Sequence, residues 1–129
     1  MKAIPLIFIF IQHYLLMGPI QSSIESGNYG SFEKICLRDI SVNLESPLQV
    51  KGYFPSSEFI NNFSKKMENY KVPELEWISK HIWENFAVQS LNIVLKSIRS
   101  GNNIYYKLIF FMKRDKQEWK LYYLRGIKL

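Results

Sequence analysis

Few side chains in this sequence could do acid–base, nucleophilic or metal chemistry. It holds two histidines and one cysteine in 129 residues. His13 falls in an apolar N-terminal run, which leaves His81 as the histidine of the folded part. A metal centre needs three or four converging ligands, and His81 with thinly spread carboxylates does not supply them. The sequence has no phosphate-cradling Gly-rich loop, no Gly-x-Ser-x-Gly turn and no Cys–His pair at a recognisable spacing, so no cofactor is implied. Cys36, in "KICLRD", has no basic pocket evident beside it and reads as a small buried hydrophobe. With one cysteine, no intrachain disulfide can form and the core must hold the fold.

Arg125 stands out for another reason. Strand alternation over 117–129 puts Trp119, Leu121, Tyr123, Arg125, Ile127 and Leu129 on one face, where the guanidinium interrupts an apolar row. A buried guanidinium needs a partner. Pairing with Glu33 or Asp39 is a structural reading. The functional reading is an anchor for an anionic head group, in a pocket lined by Trp77, Tyr106, Trp119 and Tyr123 with His81 nearby.

The elements that must position these residues follow from periodicity. Over 103–113, Ile104, Tyr106, Leu108, Phe110 and Met112 share one strand face, and Tyr105, Lys107, Ile109, Phe111 and Lys113 share the other. Burying a large apolar side chain contributes about 1.5–3 kcal/mol, so the apolar face goes inside and most of these aromatics are core. "AVQSLNIVLKSIR" is a long strand joined to 103–113 by a hairpin at 100–103, and a turn at 114–116 leads into the last strand. "ISVNLES" and "LQVKGYF" are strands either side of Pro47. Phe59, Ile60, Phe63, Met67 and Tyr70 form the stripe of a helix that Ser56 or Ser57 can cap and Pro73 stops. A helix is expected over 24–37, and residues 74–85, with two Trp and two Ile, favour a strand, with Glu74 and Glu76 on its outer side.

The N-terminus "MKAIPLIFIFIQHYLLMGPIQSS" has a lysine, a short apolar run, a Gly18-Pro19 helix break and small residues after it. That is the pattern of a secretory leader cut after about Ser22, leaving 107 residues as one domain. The alternative is an uncleaved anchor, which needs about 20 mostly apolar residues. Charge is uneven along the rest. Residues 96–129 hold nine Lys/Arg against two acids, a net +7, whereas 23–95 hold seven against nine, a net −2. A lysine-bearing outer strand face guards an exposed sheet against edge pairing. It also suits acidic polymers or anionic membrane surfaces. Nucleic acid is disfavoured, because only Tyr105, Phe111 and Tyr122 remain outside for bases to stack on.

The order helix, two strands, helix and a four-strand meander gives an α+β fold: a curved antiparallel sheet of about six strands with helices on one face. With "SGN" at 26–28, "KGYF" at 51–54 before "SSEFINNF", and "YYLRGI" at 122–127, the chain resembles the nuclear transport factor 2-like (cystatin-like) superfamily. Within it the chain is similar to a family of small exported bacterial domains of unknown function. The resemblance covers about residues 24–128 and implies a cone-shaped domain. Enzymes of that superfamily carry a carboxylate or a His–Asp pair inside the cone, and no inward acid matches here. The expectation is therefore an exported, periplasmic or secreted, non-enzymatic module. It would hold a small apolar or amphipathic ligand in the cone, or dock a protein or a second copy through the open sheet face. A lyase or isomerase using His81 with Tyr106 or Tyr123, and a basic-surface binder of anionic polymers, are the alternatives.

Overall fold

The structure is a computed structural model and describes residues 18–129. The apolar part of the expected leader, residues 1–17, lies outside the described residues. Helix α1 covers 18–26, and α2 is a single turn, Gly30–Glu33. Strands β1 (Cys36–Leu44) and β2 (Val50–Pro55) follow, then α3 (Ser56–Met67). Four long strands complete the chain: β3 (Tyr70–Ile82), β4 (Phe86–Ser97), β5 (Asn103–Asp115) and β6 (Glu118–Lys128).

The six strands form one sheet in the order β2-β1-β6-β5-β4-β3. Every neighbouring pair is antiparallel except β1 with β6, which run parallel. The expected all-antiparallel cone is thus corrected to a mixed sheet that is not strongly curled, with β2 and β3 at opposite edges and unpaired to each other. Chain direction explains the parallel pair. The hairpin reverses β2 against β1, α3 carries the chain back so that β3 runs the same way as β2, and three further hairpins bring β6 alongside β1 pointing the same way. A helix crossover preserves strand direction, whereas a hairpin reverses it.

The inner face of the sheet carries the core. Ile104 is partly buried there, and Tyr106, Leu108, Phe110 and Met112 are all fully buried, as the alternation in β5 predicts. From α3, Phe59, Ile60, Phe63 and Met67 pack onto them. Phe32 of α2 lies with its ring centroid about 6 Å from Phe59, Phe63 and Phe110. The N-cap of α3 is Pro55, with no side-chain capping bond, so neither Ser56 nor Ser57 takes the expected role. The helix ends at Met67, and Pro73 lies inside the edge strand β3, where a missing N–H is tolerated.

The helix expected over 24–37 is divided. α1 ends at 26, Gly27 takes a left-handed φ of 76°, the Asn28 side chain accepts a hydrogen bond from Gly30 N at 3.1 Å, and β1 has begun by Cys36. Nor do Gly18 and Pro19 break the chain out of a helix; both are helical. Proline's fixed φ is itself a helical one. Ile20 and Ser23 are fully buried, and Gln21 Oε1 accepts a hydrogen bond from Trp77 Nε1 at 3.0 Å. Residues 18–22 therefore belong to the packed structure, and a cut after Ser22 would take Ile20 and Gln21 out of it.

One close approach ties the sheet's centre together. An ideal Cβ on Gly126 would lie 2.6 Å from Tyr106 Cε2 and 2.8 Å from Leu44 Cδ2. With no side chain there, the Tyr106 ring lies against the β6 backbone, and its hydroxyl donates to Glu45 O at 2.8 Å. Gly126→Ala should destabilise the protein by about 1–3 kcal/mol through overpacking. Urea unfolding would show this as a lower midpoint with an unchanged slope; a neutral result would mean that the ring can move aside.

Candidate functional site

The sequence-predicted pocket residues do not converge. Tyr106 is inside, with its hydroxyl committed to Glu45 O; burial first, and the Glu45 carboxylate second, raise its pKa above the ordinary tyrosine value. Trp119 is also on the inner face but at the far end, opposite Arg114, whose guanidinium lies 5.0 Å from its ring centroid. Eight residues of β5 separate Tyr106 from that position, roughly 27 Å at about 3.4 Å per residue. His81 is exposed on the outer face opposite Val88, its ring centroid 4.8 Å from that of Trp83. Trp77 lines a cavity at the β3 edge together with Gln89.

Tyr123 and Arg125 are on the outer face, against the expectation. Phe111 opposes Tyr123 and Met112 opposes Leu121, so Tyr122 is an extra residue in β6. A bulge of this kind exchanges the two faces beyond it. Leu124 and Gly126 consequently point inward and are buried, while the Tyr123 ring lies tilted against Phe111, centroids 5.1 Å apart, and Arg125 stands beside Ile109. The partner sought for a buried Arg125 is not needed, because the side chain is half-exposed.

Cys36 is buried, and its thiol donates to Phe32 O at 3.4 Å. Burial, and then the Glu33 charge, push its pKa up to about 12, with Lys120 pulling the other way. The thiolate is the reactive form, so this cysteine is a packing residue, as its sequence context suggests.

A different inner-face residue is the unusual one. Gln89 is fully buried, yet neither Nε2 nor Oε1 has a hydrogen-bond partner. Both ends of a buried amide normally find partners, and an unsatisfied one costs about 1–3 kcal/mol. Gln89 lies between Ala87 and Leu91 on β4, opposite Phe110 on β5 and Lys80 on β3. It lines a cavity of about 220 Å³ with Trp77, Ile78, Ser79 and Lys80.

A second bulge makes that opening. Trp77 pairs with Leu91 and Ser79 with Ser90, which leaves Ile78 without a partner on β4. The Ser79 and Ser90 hydroxyls, 2.6 Å apart on the outer face, pin the strand just past the bulge. Trp77 is held from the other side by Gln21 and packs on Phe110 at 6.1 Å. The bulge thus sits next to the one polar side chain of the inner row 87, 89, 91, 93 and 95. That row was readable in the sequence: Gln89 breaks an apolar alternation as Arg125 does, and the same reasoning applied to β4 finds it.

A larger concavity of about 720 Å³ runs along Glu74, Glu76, Asn92 and Tyr105, with Gln21 and Glu25 at its other wall. Its acids and Tyr105 are exposed, so it is a surface depression and its charges are already hydrated. No group of three or more His, Cys, Asp or Glu among the described residues could hold a metal ion.

With this architecture in view, the comparison with solved structures decides the fold. A DUF4783 family protein from Bacteroides uniformis superposes with a TM-score of 0.70 at 10% identity, covering 87% of this chain and 95% of that one. The fold is nuclear transport factor 2-like. An NTF2-like protein from Cytophaga hutchinsonii matches with a TM-score of 0.65 at 14% identity, over 92% of this chain and 98% of the other. A putative isomerase from Rhodopseudomonas palustris matches with a TM-score of 0.65 at 10% identity, over 91% and 88%. At these identities the nuclear transport factor 2-like likeness is one of fold. No family model matches the sequence, and no curated protein does.

Gln89→Leu should raise stability by about 1–3 kcal/mol, because it removes an unsatisfied buried amide at nearly constant volume. Thermal unfolding of the ligand-free protein measures this. A loss of stability would mean that the amide has partners in solution.

Proposed function

We propose that this protein is an exported, non-enzymatic binding module that holds a small amphipathic ligand on the inner face of its sheet, at the β3 bulge. The observation that carries this reading is the Gln89 amide, fully buried with both ends unpartnered, in a residue that lines a cavity. Proteins retain such local costs where a ligand completes the bonding. A cleft lined by apolar side chains with one or two converging polar groups is the usual form of a small-molecule site. The N-terminal apolar run supports export. Burial of Ile20 favours processing upstream of Gly18, or retention of the segment as an anchor, over removal of residues 18–22.

The geometry gives the lyase or isomerase alternative less support than the binding reading. His81 is exposed on the outer face, Tyr106 is inside with its hydroxyl bonded to Glu45, and Tyr123 stands on the outer face. A general base has to reach its substrate proton, and His81 stands on the opposite face of the sheet from Tyr106 and three strands along from Tyr123.

Native mass spectrometry of the purified protein tests the binding reading. A bound small molecule, released by Gln89→Leu, is the expected result; loss of that ligand with a gain in stability is the pairing that a purely structural glutamine would not produce. The same spectrum reports whether a homodimer forms through the sheet.

The outer face supports a second reading, adhesion to anionic polymers. The β6 bulge adds Tyr123 and Arg125 to a face that already carries Phe111, Lys107 and Lys113. Lys113 also lies 5.6 Å from the centroid of Tyr122. Charge-driven binding of this kind weakens steeply with salt, since screening lengths fall from about 10 Å at 0.1 M to about 3 Å at 1 M. Retention on a heparin column should fall with added salt, and fall further in Arg125→Glu. Elution unaffected by either change would remove this reading.

A further inference from the structure

The inner-face site reads further, to the class of its ligand; the inference rests on the binding reading above. From the bonding inventory around Gln89, we propose that the group bound at its head is a carboxylate, carried on a small apolar body such as a phenyl ring or a five-carbon chain.

Lys80 stands directly across from Gln89 in the β3–β4 register, and both line the cavity. Cross-strand neighbours of this kind have Cβ atoms about 4.5–5.5 Å apart, well within reach of a lysine side chain. Lys80 makes no ion pair with any described residue, so its ammonium is available. The glutamine amide offers two donors and an acceptor, the ammonium offers three donors, and an ionised carboxylate offers acceptors only.

Those inventories close in one way. The amide is fully buried as the chain stands, so the exposed Lys80 side chain swings aside first; Gln89 Nε2 then donates to one carboxylate oxygen, Lys80 Nζ donates to the other, and a second Nζ–H donates to Gln89 Oε1. Both orphaned atoms are then satisfied and the ligand's charge is met by the ammonium. An amine fails this test: it would set two cations together beside one amide oxygen. A hydroxyl satisfies Gln89 but leaves the ammonium with nothing to neutralise. Charge-assisted bonds of the carboxylate–ammonium kind are about twice as strong as neutral ones.

The walls set the rest of the molecule. Trp77 is fixed in place by its bond to Gln21, and Ile78, 46% exposed at the bulge, presents an apolar side chain that nothing covers. These two receive the apolar body. The cavity's volume of about 220 Å³ equals roughly seven water volumes at about 30 Å³ each. That admits an acid of the size of benzoate or hexanoate.

Calorimetry on the full chain, with hexanoate and benzoate set against hexanol, hexanamide and hexylamine, tests the class. The acids should bind saturably and the amine should not. Lys80→Met, a change at an exposed position, should weaken the acids about tenfold and leave hexanol and hexanamide unmoved, the loss expected for one charged bond. Gln89→Leu should abolish acid binding, with circular dichroism showing that the fold persists. If hexanol or hexanamide binds as tightly as the acids and Lys80→Met changes nothing, the carboxylate assignment falls while the binding site stands. If no probe binds and the protein purifies without a small molecule, both fall.

Discussion

Phe111 of β5 faces Tyr123 and Met112 faces Leu121, so Tyr122 has no partner across the strand pair. That unpaired residue sets what the last strand keeps dry. Before it, Trp119 and Leu121 are inside; beyond it, Leu124 and Gly126 are. An unbroken alternation would drive Arg125 into the core, where an unpaired guanidinium costs several kcal/mol. It would also place a large side chain where Gly126 now admits the Tyr106 ring. The tyrosine then reaches Glu45 O, while Glu45 N donates to Gly126 O at 3.0 Å and Glu45 Oε2 accepts from Lys128 N at 3.2 Å. The bulge, the glycine and the loop after β1 act together. They join β1, β5 and β6 at the point where the sheet has its parallel pair, the pairing that no hairpin supplies.

What the sequence showed, and what it hid, divides along one physical line. Unbroken periods were legible. β5 alternates without interruption from Ile104 to Met112, and α3 repeats Phe59, Ile60, Phe63 and Met67 on one face, so both elements and both buried faces followed from the residues alone. Breaks in period were hidden, because a bulge has no residue type of its own. Tyr122 and Ile78 are ordinary strand residues, and their lack of a partner is a property of the neighbouring strand's register. The β1–β6 pairing was hidden for a related reason: it joins segments about eighty residues apart, with no local turn to mark it. For α1, the pattern of a leader exit and the start of a domain helix overlapped at Gly18 and Pro19, where the chain is helical and Ile20 is buried.

The candidate site was half legible for the same cause. Trp77 was found, because it sits before the β3 bulge, where alternation still holds. His81 lies beyond that bulge and faces out. Arg125 was singled out by a sound rule, that a polar residue in an apolar row needs a reason, applied to a row the bulge had cut. The rule finds its real case in Gln89, on β4, whose inner row from Ala87 to Leu95 is continuous.

Edge strands expose unpaired backbone groups and are hazards for aggregation, so they carry devices that prevent another strand from docking. β3 carries several: Pro73, the irregular pairing between Lys71 and Glu74, lysines at 71 and 80, and the bulge at Ile78. Each is explicable as protection alone, and a protected edge could be built over a fully apolar inner row. This one is not. The bulge sits beside the single polar residue of that row, and the lysine two residues beyond it faces the same amide. A protective bulge has no reason to be matched by an unsatisfied glutamine on the strand behind it, whereas an opening to a bound group does. On the binding reading proposed above, the irregularity in β3 serves access as well as protection.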